Sequence, residues 1–124
     1  MQIHVVGFRF KPEITPTQAA SFLSKLTDLL RSYPYIEVLA LGQNTSSRDA
    51  SLPYGFVARF PSHDAVENYV HDPRHRQWAT ESWYPAVAEL KVISLPAWAA
   101  TEERTAGRES DDRVARPSAL RPGG

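Results

Sequence analysis

The sequence predicts an α+β domain of order strand, helix, strand, strand, helix, strand, built on a four-stranded antiparallel sheet. Three observations predict it. An opening run alternates apolar residues on both faces, a following segment repeats leucines at helical spacing, and a second amphipathic segment is split by a proline before a last alternating run.

From Gln2 to Phe10, one face carries His4, Val6, Phe8 and Phe10 and the other Ile3, Val5, Gly7 and Arg9. β-Branched and aromatic residues throughout make this a strand with two buried faces. Thr15 followed by Pro16 is an N-cap with proline at the first helical position. Ala19, Phe22, Leu23, Leu26, Leu29, Leu30 and Tyr33 then recur at helical spacing until Pro34. Ile36 to Leu41 reads as a second strand ending at Gly42, and Tyr54 to Phe60 as a third, joined to it by a long polar loop.

Ser62 caps a short helix through Ala65, Val66, Tyr69 and Val70. Pro73 interrupts it by disfavouring helical geometry at Asp72, and the Asp72-Pro73 pair starts a second short helix carrying Trp78, Ala79 and Trp83. Glu89 to Leu95 closes the domain as a fourth strand, with Leu90, Val92 and Ser94 on one face and Lys91, Ile93 and Leu95 on the other. The order is that of a ferredoxin-like βαββαβ domain with both helices on one face of the sheet. Because the strands are apolar on both faces, the bare face needs a cover. A second copy presenting its own sheet supplies one, giving a homodimer in the form of a dimeric α/β barrel.

The domain is expected over residues 1–98. No aromatic residue follows Trp98, and Thr101 to Gly124 mixes arginines and acids with serine, proline and glycine. Such a segment cannot bury enough apolar surface to offset its ordering entropy, so 99–124 is expected to be a disordered polar tail. Lys plus Arg equals Asp plus Glu at 14 each, so no net field favours nucleic acid or an anionic membrane. The absence of cysteine removes disulfides, thiolate nucleophiles and thiolate-bound zinc. No stretch approaches the roughly 20 apolar residues that span a bilayer, and the start lacks a signal-peptide pattern. A cytoplasmic protein is the expectation.

His4-Val-Val-Gly-Phe-Arg-Phe-Lys-Pro-Glu13, Gly42 and Tyr69-Val-His-Asp-Pro-Arg-His75 together resemble the stress-responsive dimeric α/β-barrel domain family, often abbreviated Dabb. That family includes plant stress proteins without a settled activity and small polyketide cyclases, such as the plant enzyme that closes olivetolic acid. The resemblance implies a cavity between sheet and helices in which a histidine and a tyrosine promote an intramolecular aldol closure with no metal and no cofactor. By motif position His75 matches that histidine, Tyr69 that tyrosine, and His4 a histidine on the first strand. Tyr54 stands where the cyclase has a further pocket histidine, and Leu26 where it has a pocket tyrosine. Tyr54, Phe8, Leu26 and Trp78 are expected to shape the substrate pocket.

Closing a carbon–carbon bond this way needs a base for a proton between two carbonyls and a donor for the developing oxyanion. With an unperturbed pKa of about 6.5, histidine accepts a proton at neutral pH. Each residue also has a structural reading. His75 can pack the helix break, Tyr69 can be a core residue with its hydroxyl at the edge, and His4 can be a satisfied core histidine. A metal site from His71, Asp72 and His75 is disfavoured because Pro73 spoils the helical register between the two histidines. Three functions follow in order: a cyclase-type lyase or isomerase on a carbonyl-rich small molecule, a non-catalytic stress-responsive dimer, and a heme or cofactorless monooxygenase.

Overall fold

The structure, a computed structural model, describes residues 1–97. The expected polar tail lies outside the described residues. The chain runs β1 (Gln2–Phe10), α1 (Pro16–Arg31), β2 (Glu37–Gln43), β3 (Tyr54–Phe60), α2 (His63–His71), α3 (Pro73–Trp78), a π-helical turn (Ala79–Trp83), α4 (Tyr84–Ala86) and β4 (Val87–Pro96). The strands form one antiparallel sheet in the order β2-β3-β1-β4. This is the expected βαββαβ arrangement, with the first and last strands paired at the centre and edge.

Local chemistry sets each helix start. The Thr15 hydroxyl accepts from the Gln18 amide at 3.1 Å while the Gln18 side chain accepts from the Thr15 amide at 2.9 Å, a reciprocal capping box. Ser62 accepts from the Ala65 amide at 3.1 Å and caps α2. Strand ends differ from the sequence expectation where pairing decides them. β2 begins at Glu37 and runs through Gly42 to Gln43, because Gly42 and Gln43 pair with Gly55 and Tyr54. β4 begins at Val87 and runs to Pro96, because β1 offers partners from Phe10 to Gln2.

Phe8, Leu26, Leu30 and Phe60 are fully buried, and the aromatic cluster around Phe8 ties sheet to helices. Phe8 lies 5.8 Å from Phe22 on α1 and 5.1 Å from Trp83 on the π-helical turn, ring centre to ring centre. Gln2, His4, Val6 and Phe8 therefore point into the helix-covered layer. On the opposite face Ile3, Val5 and Val57 are half-buried, while Ile93 and Leu95 are each 56% exposed. The two faces of β1 are thus unequal: one is packed, the other is open apolar surface.

Three strands approach without side chains between them where Gly42, Gly55 and Gly7 pair in a row. A Cβ on Gly55 would stand 2.6 Å from the Val6 carbonyl oxygen, and one on Gly7 3.1 Å from the Leu52 side chain folded back from the β2–β3 loop. Only glycine permits that approach at position 55.

Candidate active site

His4 reaches the helix layer from β1, Tyr69 from the last turn of α2, and His75 from the first turn of α3. All three wall one cavity of about 310 Å³. Val6 and Phe56 supply its sheet wall, Val70, Ala79 and Trp83 its helix wall, and Tyr84, Leu90 and Val92 complete it beside β4. Tyr84, Leu90 and Val92 are 69%, 43% and 51% exposed, so the β4 side is the mouth. The site is an apolar recess with three groups able to handle protons.

The break at Asp72-Pro73 orients His75. With the helix interrupted, the Val70 carbonyl lies 3.1 Å from the His75 Nδ1. A carbonyl only accepts, so Nδ1 carries the proton and Nε2 keeps its lone pair. The Tyr69 and His75 ring centres stand 4.3 Å apart. Burial holds the His75 pKa below its ordinary value, against smaller opposing effects of the Val70 carbonyl and the Asp72 carboxylate. His75 is therefore a neutral imidazole at neutral pH, with an acceptor nitrogen on a cavity-lining ring.

His4 is 6% exposed, and its ring packs edge-on against Phe60 at 5.5 Å. Its Nδ1 is buried and has no hydrogen-bond partner among the described residues. An orphaned buried nitrogen of this kind costs on the order of 1–3 kcal/mol unless a ligand or water satisfies it. Burial, and secondarily the nearby His75, lowers the His4 pKa. A charged His75 would disfavour charge on His4, so the pair carries at most one positive charge near neutrality, each neutral ring keeping one N–H. Burial, with smaller contributions from Tyr33 and Tyr35, raises the Tyr69 pKa well above the ordinary tyrosine value. Tyr69 thus remains a protonated hydrogen-bond donor.

The expected pocket-shaping residues fall elsewhere. Phe8 and Leu26 are sealed in the core. Tyr54 stacks on Phe8 at 6.0 Å and meets Phe10 edge-on at 5.2 Å. Trp78 packs against Phe22 at 5.1 Å, with its indole Nε1 buried and without a hydrogen-bond partner among the described residues. None of the four is among the residues lining the cavity. For Trp78 the reason is rotational: it precedes the π-helical turn, whose Tyr84 amide bonds back to the Ala79 carbonyl five residues earlier. That wider turn faces Ala79 and Trp83 to the cavity and leaves Trp78 against α1. Val6, Phe56, Leu90 and Val92 were individually ordinary strand residues. Cross-strand pairing of Val6 with Phe56 and with Val92 gathers them.

Among the described residues no group of three or more His, Cys, Asp or Glu side chains is placed to hold a metal ion. No helix among them is long and apolar enough to cross a membrane.

No curated protein matches the chain by sequence. Solved structures do. A Dabb-family protein of ferredoxin-like fold from Mesorhizobium loti is 20% identical, with a TM-score of 0.70 covering 78% of this chain and 96% of that one. A dimeric ferredoxin-like protein of unknown function from Thermobifida fusca is 22% identical, with a TM-score of 0.62 covering 76% and 88%. The hydroxynitrile lyase of Passiflora edulis is 19% identical, with a TM-score of 0.63 covering 75% and 89%. At these identities the likeness is one of fold. The sequence also matches the stress responsive A/B barrel domain over residues 3–96.

Proposed function

Because the chain belongs to the stress responsive A/B barrel domain family, we propose that its cavity is the active site of a cofactor-independent enzyme of the cyclase, lyase or isomerase type, acting on a carbonyl-rich small molecule. The observation that carries this reading is the convergence of His4, Tyr69 and His75, from three elements, on one apolar cavity. Small-molecule sites combine these features: apolar walls with a few convergent polar groups of perturbed pKa.

In the proposed reaction the His75 Nε2 takes a proton from carbon between two carbonyl groups. The resulting enolate carbon attacks a second carbonyl carbon of the same molecule, forming the carbon–carbon bond as the carbonyl π pair moves to oxygen. Tyr69 donates a hydrogen bond to that oxygen, and the proton on His75 returns to it. His4, neutral and lining the cavity, binds a polar group of the substrate. Run backwards, the same groups cleave the bond, which agrees with a lyase among the structural neighbours.

The protein is also proposed to act as a homodimer joined through the helix-free face of the sheet. The exposed Ile93 and Leu95, beside half-buried Val5 and Val57, support this, as does a structural neighbour described as dimeric. One observation favours a non-catalytic reading: the His75 Nδ1 already has a backbone partner, as a purely structural histidine would.

Conversion separates the two. The purified protein is incubated with linear poly-β-keto acids and with compounds made by enzymes encoded beside it, and product is followed by mass spectrometry. Conversion that disappears in His75→Ala supports the enzyme. Conversion unchanged in that variant removes His75 as base, and no binding or conversion of any compound favours the structural dimer.

A further inference from the structure

A single residue joins α2 to α3. α2 ends at His71 and α3 begins at Pro73, leaving Asp72 extended at φ −63° and ψ 135°. Asp72 serves both helices: its amide bonds the Tyr69 carbonyl at 3.1 Å, its carboxylate accepts from the Arg74 amide at 3.0 Å, and its carbonyl accepts from the Arg76 amide at 3.0 Å. The backbone groups of Asp72 thus tie the corner to both helices, and its carboxylate is the one side-chain group there that can also be held from outside them.

Tyr33 holds it. Its ring is 4% exposed, just past the end of α1, and its hydroxyl donates to the Asp72 Oδ2 at 2.6 Å across 39 positions of sequence. The Arg74 guanidinium lies 4.4 Å from the centre of the same ring, closing a cluster of Tyr33, Asp72 and Arg74. The hydrogen bond to a carboxylate is charge-assisted and stronger than a neutral one. Burial and that bond push the Tyr33 pKa up to about 12, while the bond to Tyr33 holds Asp72 below the usual carboxylate value. Both groups thus keep the protonation states the bond requires across the neutral range.

We infer that Tyr33 and Asp72 are positioning residues for His75: their hydrogen bond anchors the α2–α3 corner to α1 and so sets where α3 presents the imidazole to the cavity. The catalytic importance of this arrangement rests on the function proposed above; the positioning itself does not. His75 is the third residue of α3, one turn from the anchored carboxylate, and its Nδ1 reaches back across the corner to the Val70 carbonyl. Movement of α3 relative to α2 stretches that bond first. The ionisable groups around His75 are His4 of β1, Tyr69 of α2, Tyr84 of α4, and Asp72 and Arg74 at its own helix start. Of these, Asp72 favours the protonated imidazole.

Nitrogen-detected NMR of the full chain, with its four histidines assigned, reads the arrangement without reference to activity. Wild type should show His75 as the Nδ1–H tautomer with a slowly exchanging ring proton. In Tyr33→Phe the core ring remains but the anchor is lost, and exchange of that proton should accelerate by about tenfold or more as the corner opens. Asp72→Asn retains a capping side chain and an acceptor for Tyr33. It should keep the tautomer while moving the His75 titration midpoint to lower pH, because a negative neighbour has gone. Where conversion is measurable, Tyr33→Phe should lower kcat with KM little changed.

Unchanged ring-proton exchange in Tyr33→Phe, with an unchanged His75 midpoint in Asp72→Asn, overturns the inference. If His75 responds as stated while His75→Ala leaves conversion intact, the positioning stands and the base assignment falls.

Discussion

The imidazole of His75 and the phenol of Tyr69 lie 4.3 Å apart, ring centre to ring centre, although six positions and a helix break separate them. The break makes the approach possible, since an unbroken helix would place residues six apart well around its circumference. The two rings therefore stand side by side at the cavity wall, where the proposed reaction uses both. His75→Ala is expected to lower kcat/KM by about 10²-fold or more, the range for a lost general base. Tyr69→Phe is expected to lower kcat while leaving binding largely intact, as loss of one oxyanion donor does. Steady-state kinetics on any converted compound checks both.

Acid should weaken the fold through the same histidines. His4 and His75 are held below the ordinary value of 6.5, so the unfolded chain binds their protons first as pH falls. Stability contributed by their neutrality is complete above about pH 6.5 and declines below it, until the folded-state values are passed. Urea unfolding between pH 5 and 8 measures this. The double variant His4→Gln/His75→Gln should flatten that slope, and an unaltered slope would sink the assignment.

Gly55 and Gly42 sit opposite each other in the sheet but should differ sharply on substitution. A Cβ at Gly55 meets the Val6 carbonyl oxygen at 2.6 Å, whereas one at Gly42 meets nothing within 4 Å among the described residues. Gly55→Ala should cost on the order of 1–3 kcal/mol, the range for overpacking a rigid neighbour. Gly42→Ala should remain within about 0.5 kcal/mol of wild type. Thermal and chemical denaturation distinguish the two.

The helix-free sheet face offers a separate test. Val5 and Ile93 are directly paired across β1 and β4 on that face, and Ile93 is 56% exposed. Ile93→Asp or Val5→Asp would place a charge at the centre of a sheet-on-sheet contact, where desolvation opposes association. Light scattering should show a dimer for wild type and a monomer for either variant. A monomeric wild type at micromolar concentration contradicts the proposed pairing.

Much of the fold was legible in the chain because its signals are local. Alternation from Gln2 to Phe10, the Thr15-Pro16 start and the Asp72-Pro73 break each depend on neighbours a few residues away, and the structure has them at those positions. The candidate site was legible only in part. His4, Tyr69 and His75 could be named, by motif resemblance as much as by residue chemistry, and they do line one cavity. Phe8, Tyr54, Leu26 and Trp78 lie outside that cavity: Phe8 and Tyr54 share its sheet face but sit farther along the strands, where Phe22 of α1 packs over Phe8, and Trp78 packs on the same Phe22. The π-helical turn at Ala79–Trp83, which faces Trp83 rather than Trp78 to the cavity, left no sequence signal.

The order of the strands and main helices, both helix starts, the corner at Asp72 and the apolar character of both sheet faces are written in the chain. These follow from backbone propensity, capping chemistry and hydrophobic period, all short-range. Folding in three dimensions is what makes His75 keep Nε2 free by giving Nδ1 to Val70, leaves the His4 Nδ1 without a partner among the described residues, and lets Tyr33 grip Asp72 from 39 positions away. Those contacts join distant segments, and their geometry exists only once sheet register and helix packing have brought the segments together.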